Sequence, residues 1–454
     1  MSPEDRERLK AKAAAHYWPP RELAGDVSEE SGVTVMARGE GIWVEDISGR
    51  RYIDVVSGLW VSNVGHGRNE VASAVAEQMR RLSFAPAHAV SVPTLELASR
   101  LASTWHDPAA RVIFSSGGSE AVETAVKLAK QYHRNQGQGS RYKIISRRGS
   151  LHGGSFALLG LGSVRGPGAG APVDFGPLPF MGPVVQGVNP KRCGFCGEGG
   201  VCHAACADDI ERVIEQEGPS TIAALIAEPI SLTGGWHVPP KAYWKTLREL
   251  CDRHGILLIA DEVLTGMGRT GRWFAMEHFD TKPDIAVLAK GLAGGYAPIG
   301  ACLVRRNVSD AFAGSDEKKF DHIFTFGGNA MACTAALSVM DIIESEGLLA
   351  HSLTQGARLL RGVEAMKGHA CVGAVRGGPG LMVVVEFVDP GTGKPVVRSP
   401  AFTARLTQAM RRHGLYGRTT RSLSLAPPLS ITPGEVDELL QRVDETLRTL
   451  STTP

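Results

Sequence analysis

Three places in the chain combine residue types that chemistry needs, each at the end of an apolar run. Lys290 closes PDIAVLAK and is followed at once by Gly291. Lysine is almost never fully buried without a partner, and desolvation lowers its pKa, which makes the amine a candidate Schiff-base nucleophile. By itself the residue could equally snorkel to the surface. Asp261 and Glu262 close GILLIADE. A carboxylate there either caps the next turn or acts as a fixed anion that keeps a cofactor's ring nitrogen protonated, since an unpaired buried charge is costly. Gly117, Gly118 and Ser119 follow RVIFSS and open a helical stretch. Bare backbone N–H groups at a helix start suit a phosphate, although Gly–Ser before a helix is more often only a cap. The segment has no Walker pattern, so ATP is not indicated. A phosphate, a protonatable ring nitrogen and an aldehyde are the three groups these sites demand together, and pyridoxal phosphate carries all three.

Such residues must be held by strands. RVIFSS, RYKIIS, TIAALIAEP, GILLIADE and PDIAVLAK are continuous apolar runs, separated by helical stretches such as SEAVETAVKLAKQY and PKAYWKTLRELCDRHG. Continuous hydrophobicity marks strands buried on both faces, hence an α/β protein with a mainly parallel central sheet between helices. Ligands of such sheets sit at the carboxyl ends of the strands, where the three sites lie. Residues 60–330 are expected to form this large domain. Residues 1–59 and 331–454 are expected to join as a smaller α+β domain, with hairpin strands over 33–56, a strand in LMVVVEFVD and a closing helix, GEVDELLQRVDETLRTL. Residues 162–190 form a Gly/Pro-rich stretch without period, and long loops of that kind tend to be functional.

Composition narrows the partners. In 454 residues, 49 Lys and Arg stand against 47 Asp and Glu, which gives no electrostatic reason for nucleic-acid or anionic-membrane binding. No apolar run approaches a membrane span, and the N-terminus has no signal-peptide core, so a cytoplasmic protein is expected.

The motifs together resemble the class III (ω-type) pyridoxal-phosphate aminotransferases of fold type I, over nearly the whole chain. YIDVVSGLWVSNVGHG, FSSGGSEAVETAVKLAK, LLIADEVLTGMGRTGRWFA, PDIAVLAKGLAGGYAPIGA, HIFTFGGNAMACTAAL and LAPPLSIT occur in the family's order. The resemblance implies that Lys290 forms the Schiff base and then shuttles protons, while Asp261 partners the pyridinium. It places Gly118, Ser119, Val263, His152 and Glu228 around the cofactor. It makes Thr325 a phosphate ligand of the neighbouring subunit, and hence implies a homodimer with shared active sites. Trp60 and Phe84 match the substrate pocket of the branch resembling amine:pyruvate and β-alanine:pyruvate transaminases. Arg418 or Arg421 matches the arginine that grips a carboxylate. Leu151 departs from the family's usual tyrosine and replaces an aromatic face with an aliphatic one. The implied reaction moves an amino group from an amine, ω- or β-amino acid to a keto acid, pyruvate for preference, by a ping-pong route. The alternative is a non-transaminating enzyme on the same scaffold: an epimerase, decarboxylase or aminomutase.

Four of the eight cysteines, Cys193, Cys196, Cys202 and Cys206, crowd into RCGFCGEGGVCHAAC. Four thiolates can ligate zinc or an iron–sulfur cluster, with His203 as a substitute ligand. The alternatives are reduced thiols in a loop or local disulfides.

Overall fold

The computed structural model describes residues 2–20, 34–85, 88–162, 178, 181–189, 195, 204–396, 399–417, 419 and 422–452. The chain divides into two units, residues 69–350 and residues 1–68 with 351–454.

In the second of these, β1 (Met36–Glu40), β2 (Trp43–Asp46) and β3 (Arg51–Asp54) form the antiparallel hairpins expected from their Gly-punctuated sequence. Asp46 fixes the second turn. Its Oδ1 accepts from Ser48 and Arg50 N–H at 2.8 and 3.1 Å, and its Oδ2 accepts from the Tyr52 hydroxyl at 2.8 Å.

The unit of residues 69–350 is built on seven strands: β4 (Arg111–Ser115), β5 (Lys143–Arg147), β6 (Val184–Val185), β7 (Ile222–Ala227), β8 (Leu257–Asp261), β9 (Ile285–Leu288) and β10 (Gly300–Val304). Their order is β4-β10-β9-β8-β7-β5-β6. From β9 through β6 every pair is parallel; β10 runs antiparallel to both β9 and β4. β7, β8 and β9 are buried at every residue, as continuous apolar runs require. Each fully buried Leu, Ile or Val side chain there contributes about 1.5–3 kcal/mol of transfer free energy. Helix Gly118–Asn135 lays Ala121, Val122, Ala125, Leu128 and Ala129 on the sheet, packing with Ile226, Ile259 and Val287. Helix Lys241–His254 ends on Gly255, whose φ of +64° supplies the left-handed cap. Helix Ala330–Ser345 packs on helices Asn69–Arg81 and Val92–Thr104.

The chain then returns to the smaller unit. β11 (Val372–Gly377), β12 (Val383–Phe387) and, after helix Pro400–Arg412, β13 (Leu415–Tyr416) and β14 (Ser422–Leu425) follow. β12 lies between β11 and β14, while β13 adds to β3 in parallel. Helix Pro433–Thr452 buries Val436, Leu439, Val443, Leu447 and Leu450 at helical spacing. Among the described residues, no helix is long and apolar enough to cross a membrane.

Candidate active site

The carboxyl ends of β8 and β9 lie side by side, with β4 close by through β10. Gly300, at the start of β10, brings this about: a Cβ there would fall 2.5 Å from the Gly117 carbonyl oxygen, so only glycine lets the two backbones approach. The β4–helix turn therefore sits over the sheet. A Cβ on Gly118 would lie 3.1 Å from Val263 Cγ1 and 3.4 Å from Ala289 Cβ, which places the glycine turn against the ends of both β8 and β9. Around Gly117 there is open space. Glu120 Oε2 accepts from Ser116 N–H at 2.7 Å and closes the turn. Ser119 Oγ accepts from Gly154 N–H at 3.0 Å, which leaves its own proton to donate outward.

Asp261 ends β8 nearly buried. Its Oδ2 meets His152 Nδ1 at 2.8 Å, and its Oδ1 accepts from Val263 N–H at 3.2 Å. His152 is itself buried, and its Nε2 has no hydrogen-bond partner among the described residues. Glu228, one residue past β7, accepts from the Ser231 hydroxyl at 2.8 Å and from Leu151 N–H at 3.4 Å. Burial pushes the Glu228 carboxyl above its ordinary range, the nearby Asp261 adds to this, and His152 and Arg147 oppose it. Arg147, buried at the end of β5, donates to the Glu228 carbonyl and lies over the Trp244 ring.

Lys290 follows Ala289 half-buried, with φ at +46°. A non-glycine residue in the left-handed region is strained, and such strain is commonly held at functional sites. Glu262, beside Asp261, is fully buried. It accepts from the Thr265 hydroxyl at 2.5 Å and from Met276 N–H at 2.9 Å, and burial pushes its carboxyl up to about 7.

An anion cradle, a buried carboxylate backed by a histidine, and a strained lysine thus converge at adjacent strand ends. The family model for class III aminotransferases matches residues 25–447. The chain belongs to the class III aminotransferases. It is 36% identical to the taurine–pyruvate aminotransferase of Bilophila wadsworthia, over 92% of each chain. Among solved structures it is similar to an (S)-enantioselective omega-transaminase from Thermomicrobium roseum, with TM-score 0.90, 38% identity and 98% of each chain covered. It is also similar to an amine transaminase from an uncultivated Pseudomonas species in PLP-bound form, with TM-score 0.87, 36% identity, and 95% of this chain and 98% of that one covered.

Within this aminotransferase the other expected site residues lie as follows. Thr325 is exposed, between exposed Ile323 and Phe326. Phe84, 40% exposed, meets the Phe326 ring edge-on at 6.0 Å. Leu151 is exposed at 43%. Trp60 belongs to the unit of residues 1–68 and 351–454; it is buried, with φ at +58° and an indole N–H without a partner among the described residues. Arg418 and Arg421 lie outside the described residues, as do Cys193, Cys196, Cys202 and His203. Cys206 is buried at the start of helix Cys206–Glu217. Among the described residues no group of three or more His, Cys, Asp and Glu side chains could hold a metal.

Sequence reasoning missed the His152–Asp261 pair as a pair, the Arg147–Glu228 contact and the burial of Glu262. The signal for Glu262 was present: a second acid directly after a buried strand has no water to turn to and must find donors. The two other pairings join residues 109 and 81 positions apart, which periodicity does not report.

Proposed function

We propose that the protein transfers an amino group from an amine, ω-amino acid or β-amino acid to a keto acid, with pyruvate as acceptor, using pyridoxal phosphate held at the ends of β4, β8 and β9. The observation that carries this reading is the buried His152–Asp261 pair, at 2.8 Å, ending the strand beside the one that leads to strained Lys290.

The residues fit the cofactor. His152 Nε2 is a buried polar atom with no partner among the described residues, and Asp261, held by His152 at 2.8 Å, is the carboxyl placed to meet a ring N–H. Gly118 keeps the approach to Val263 clear of a Cβ, and the Ser119 proton is available to a phosphate oxygen. Gly118 and Ser119 would hold the phosphate, Asp261 the ring nitrogen, Val263 one ring face and Lys290 the aldehyde carbon. Pyridoxal phosphate, when bound, supplies a carbonyl carbon that accepts the amino group and a protonated ring that takes up an electron pair from the substrate carbon.

The chain's own groups do the rest. Asp261 keeps the proton on the ring nitrogen, and His152 holds the carboxylate in one orientation through its Nδ1. Lys290 Nζ takes a proton from the substrate carbon and returns it to its new place as general base and then acid. Pyruvate is the favoured acceptor because relatives that take it, the taurine–pyruvate aminotransferases, align over most of the chain.

The homodimer belongs to the same proposal. Phe84 meets Phe326, which follows Thr325, and Ile323 lies two residues before it; they are exposed at 40%, 60% and 64%, and a second copy would cover them. The test is a donor panel with pyruvate on purified, cofactor-loaded protein. Alanine formation with an amine or a β- or ω-amino acid supports the reading. Conversion of donors without alanine, by racemisation or loss of carbon dioxide, would replace it with a non-transaminating enzyme.

A further inference from the structure

The unit of residues 1–68 and 351–454 carries a basic cavity that the transamination chemistry does not use. It measures about 540 Å³ and is lined by Arg50 and Arg51 before and at the start of β3, by Arg411 and Arg412 at the end of helix Pro400–Arg412, and by Arg442 on helix Pro433–Thr452. Two carboxylates share its wall, and both are already engaged. Glu438 accepts from Arg442 at 2.6 Å. Glu445 meets His413 Nδ1 at 3.1 Å and accepts from Gln441 at 3.2 Å.

Two of these guanidinium groups share one aromatic ring. Arg51 and Arg442 both lie over the Trp43 ring, at 5.0 and 5.2 Å, so one indole holds two like charges near each other. Arg50 lies over Tyr52 at 5.7 Å and reaches the Arg411 carbonyl at 3.4 Å. Arg411 donates to the Thr34 hydroxyl at 2.6 Å. Arg50, Arg51 and Arg412 are exposed and make no ion pair among the described residues. The carbonyls of the helix end account for Arg50 and for Arg442, which donates to the Gly414 carbonyl at 3.0 Å. They do not account for Arg51 or Arg412.

We infer that this cavity binds a compact multivalent phosphate: inorganic pyrophosphate or the polyphosphate tail of a nucleotide. The guanidinium groups come from three elements, β3 and two helices, and guanidinium forks offer paired N–H donors, which suits tetrahedral groups with oxygens on several sides better than a single planar carboxylate. The volume exceeds what one phosphate fills and lies within the range of small-molecule clefts. A concave site of this size, on a chain of net charge +2, does not suit a nucleic-acid duplex or a membrane. Binding here is independent of the proposed amino donor and acceptor.

The experiment is calorimetric titration of the cofactor-loaded protein with sodium pyrophosphate and, separately, ATP, against sodium chloride matched for ionic strength. Loading keeps the phosphate cradle at Gly118 filled. One saturable site per chain is expected, weakened roughly tenfold by Arg51→Ala or Arg412→Ala and about a hundredfold by the pair, as loss of charge-assisted hydrogen bonds predicts. Transamination and Tm should stay as in the parent for these exposed positions. Equal affinity for the two ligands assigns recognition to the phosphate chain; tighter ATP binding assigns it to a nucleotide. Heat no larger than that of the matched salt, or an unchanged Kd in the double variant, overturns the inference.

Discussion

At the scale of single residues, the proposed mechanism sets Asp261 against the ring nitrogen and Lys290 against the aldehyde carbon of the cofactor, with His152 holding Asp261 at 2.8 Å. Asp261→Asn keeps the shape and removes the anion, so the ring nitrogen loses its proton. A loss of roughly 10³-fold or more in kcat is expected with cofactor still bound, by analogy with removal of one preorganised electrostatic group. A near-parental rate would take Asp261 out of the mechanism. In the proposed mechanism His152 acts through Asp261, which its Nδ1 meets at 2.8 Å. His152→Ala should lower kcat by ~10–100-fold, the worth of one hydrogen bond to a charged group, and shift the pH–rate profile while KM for the donor changes little. A variant that only melted earlier, with its profile unmoved, would reduce the histidine to packing. The strand-end positions of Lys290, Asp261, Gly118 and Ser119 were legible in the sequence because each closes or follows an apolar run, and such ends are where α/β sheets bind ligands. The dependence of Asp261 on His152 was not, because the fold, not the local sequence, brings β8 and the segment after β5 together.

At the scale of elements, Glu262 fastens the segment that carries Val263 toward the glycine turn. Its carboxyl holds Thr265 and Met276 N–H together, fourteen residues of chain folded back on one side chain. Burial raises its pKa from 4.5 to about 7. Between those values the folded protein binds more protons than the unfolded chain, so this group's contribution to stability falls as pH rises from about 4.5 to about 7. Integrated over that interval the effect is ~3 kcal/mol at most. Glu262→Gln keeps a hydrogen-bonding amide without the titration. Melting curves from pH 4.5 to 7.5 should therefore fall less steeply for the variant than for the parent. Parallel pH profiles would show that Glu262 does not titrate there. The parallel strands β5, β7, β8 and β9 were readable as apolar runs of four to six residues, whereas β10, and the two-residue β6 inside the stretch 162–190 read as a loop, were not read as strands. The β10 segment, GACLV, opens on a glycine and is too short to set a period. Its antiparallel direction goes with a return over residues 289–299, shorter than a parallel crossover usually needs, and is a matter of connection length rather than of composition.

At the scale of the whole molecule, the proposed pairing of subunits and the proposed role of Trp60 make separate demands. Ile323→Glu with Phe326→Glu should shift the protein from dimer to monomer in sedimentation and lower transamination with it, since Thr325 is assigned to the partner's cofactor. Burying two carboxylates in an apolar interface costs several kcal/mol. A dimer of unchanged affinity would place the interface elsewhere. Trp60→Ala should raise kcat/KM for bulky amines relative to small ones. An unchanged donor ratio, with stability lower by ~3–5 kcal/mol, would mean that the buried indole is core alone. The measurement that bears most directly on the central claim is amino transfer to pyruvate by Lys290→Ala beside the parent, each purified and incubated with pyridoxal phosphate. Alanine formation is expected from the parent and none above background from the variant, with the variant folded and still taking up the cofactor weakly. Substantial alanine formation by Lys290→Ala would contradict the assignment of this lysine as the group that moves the proton.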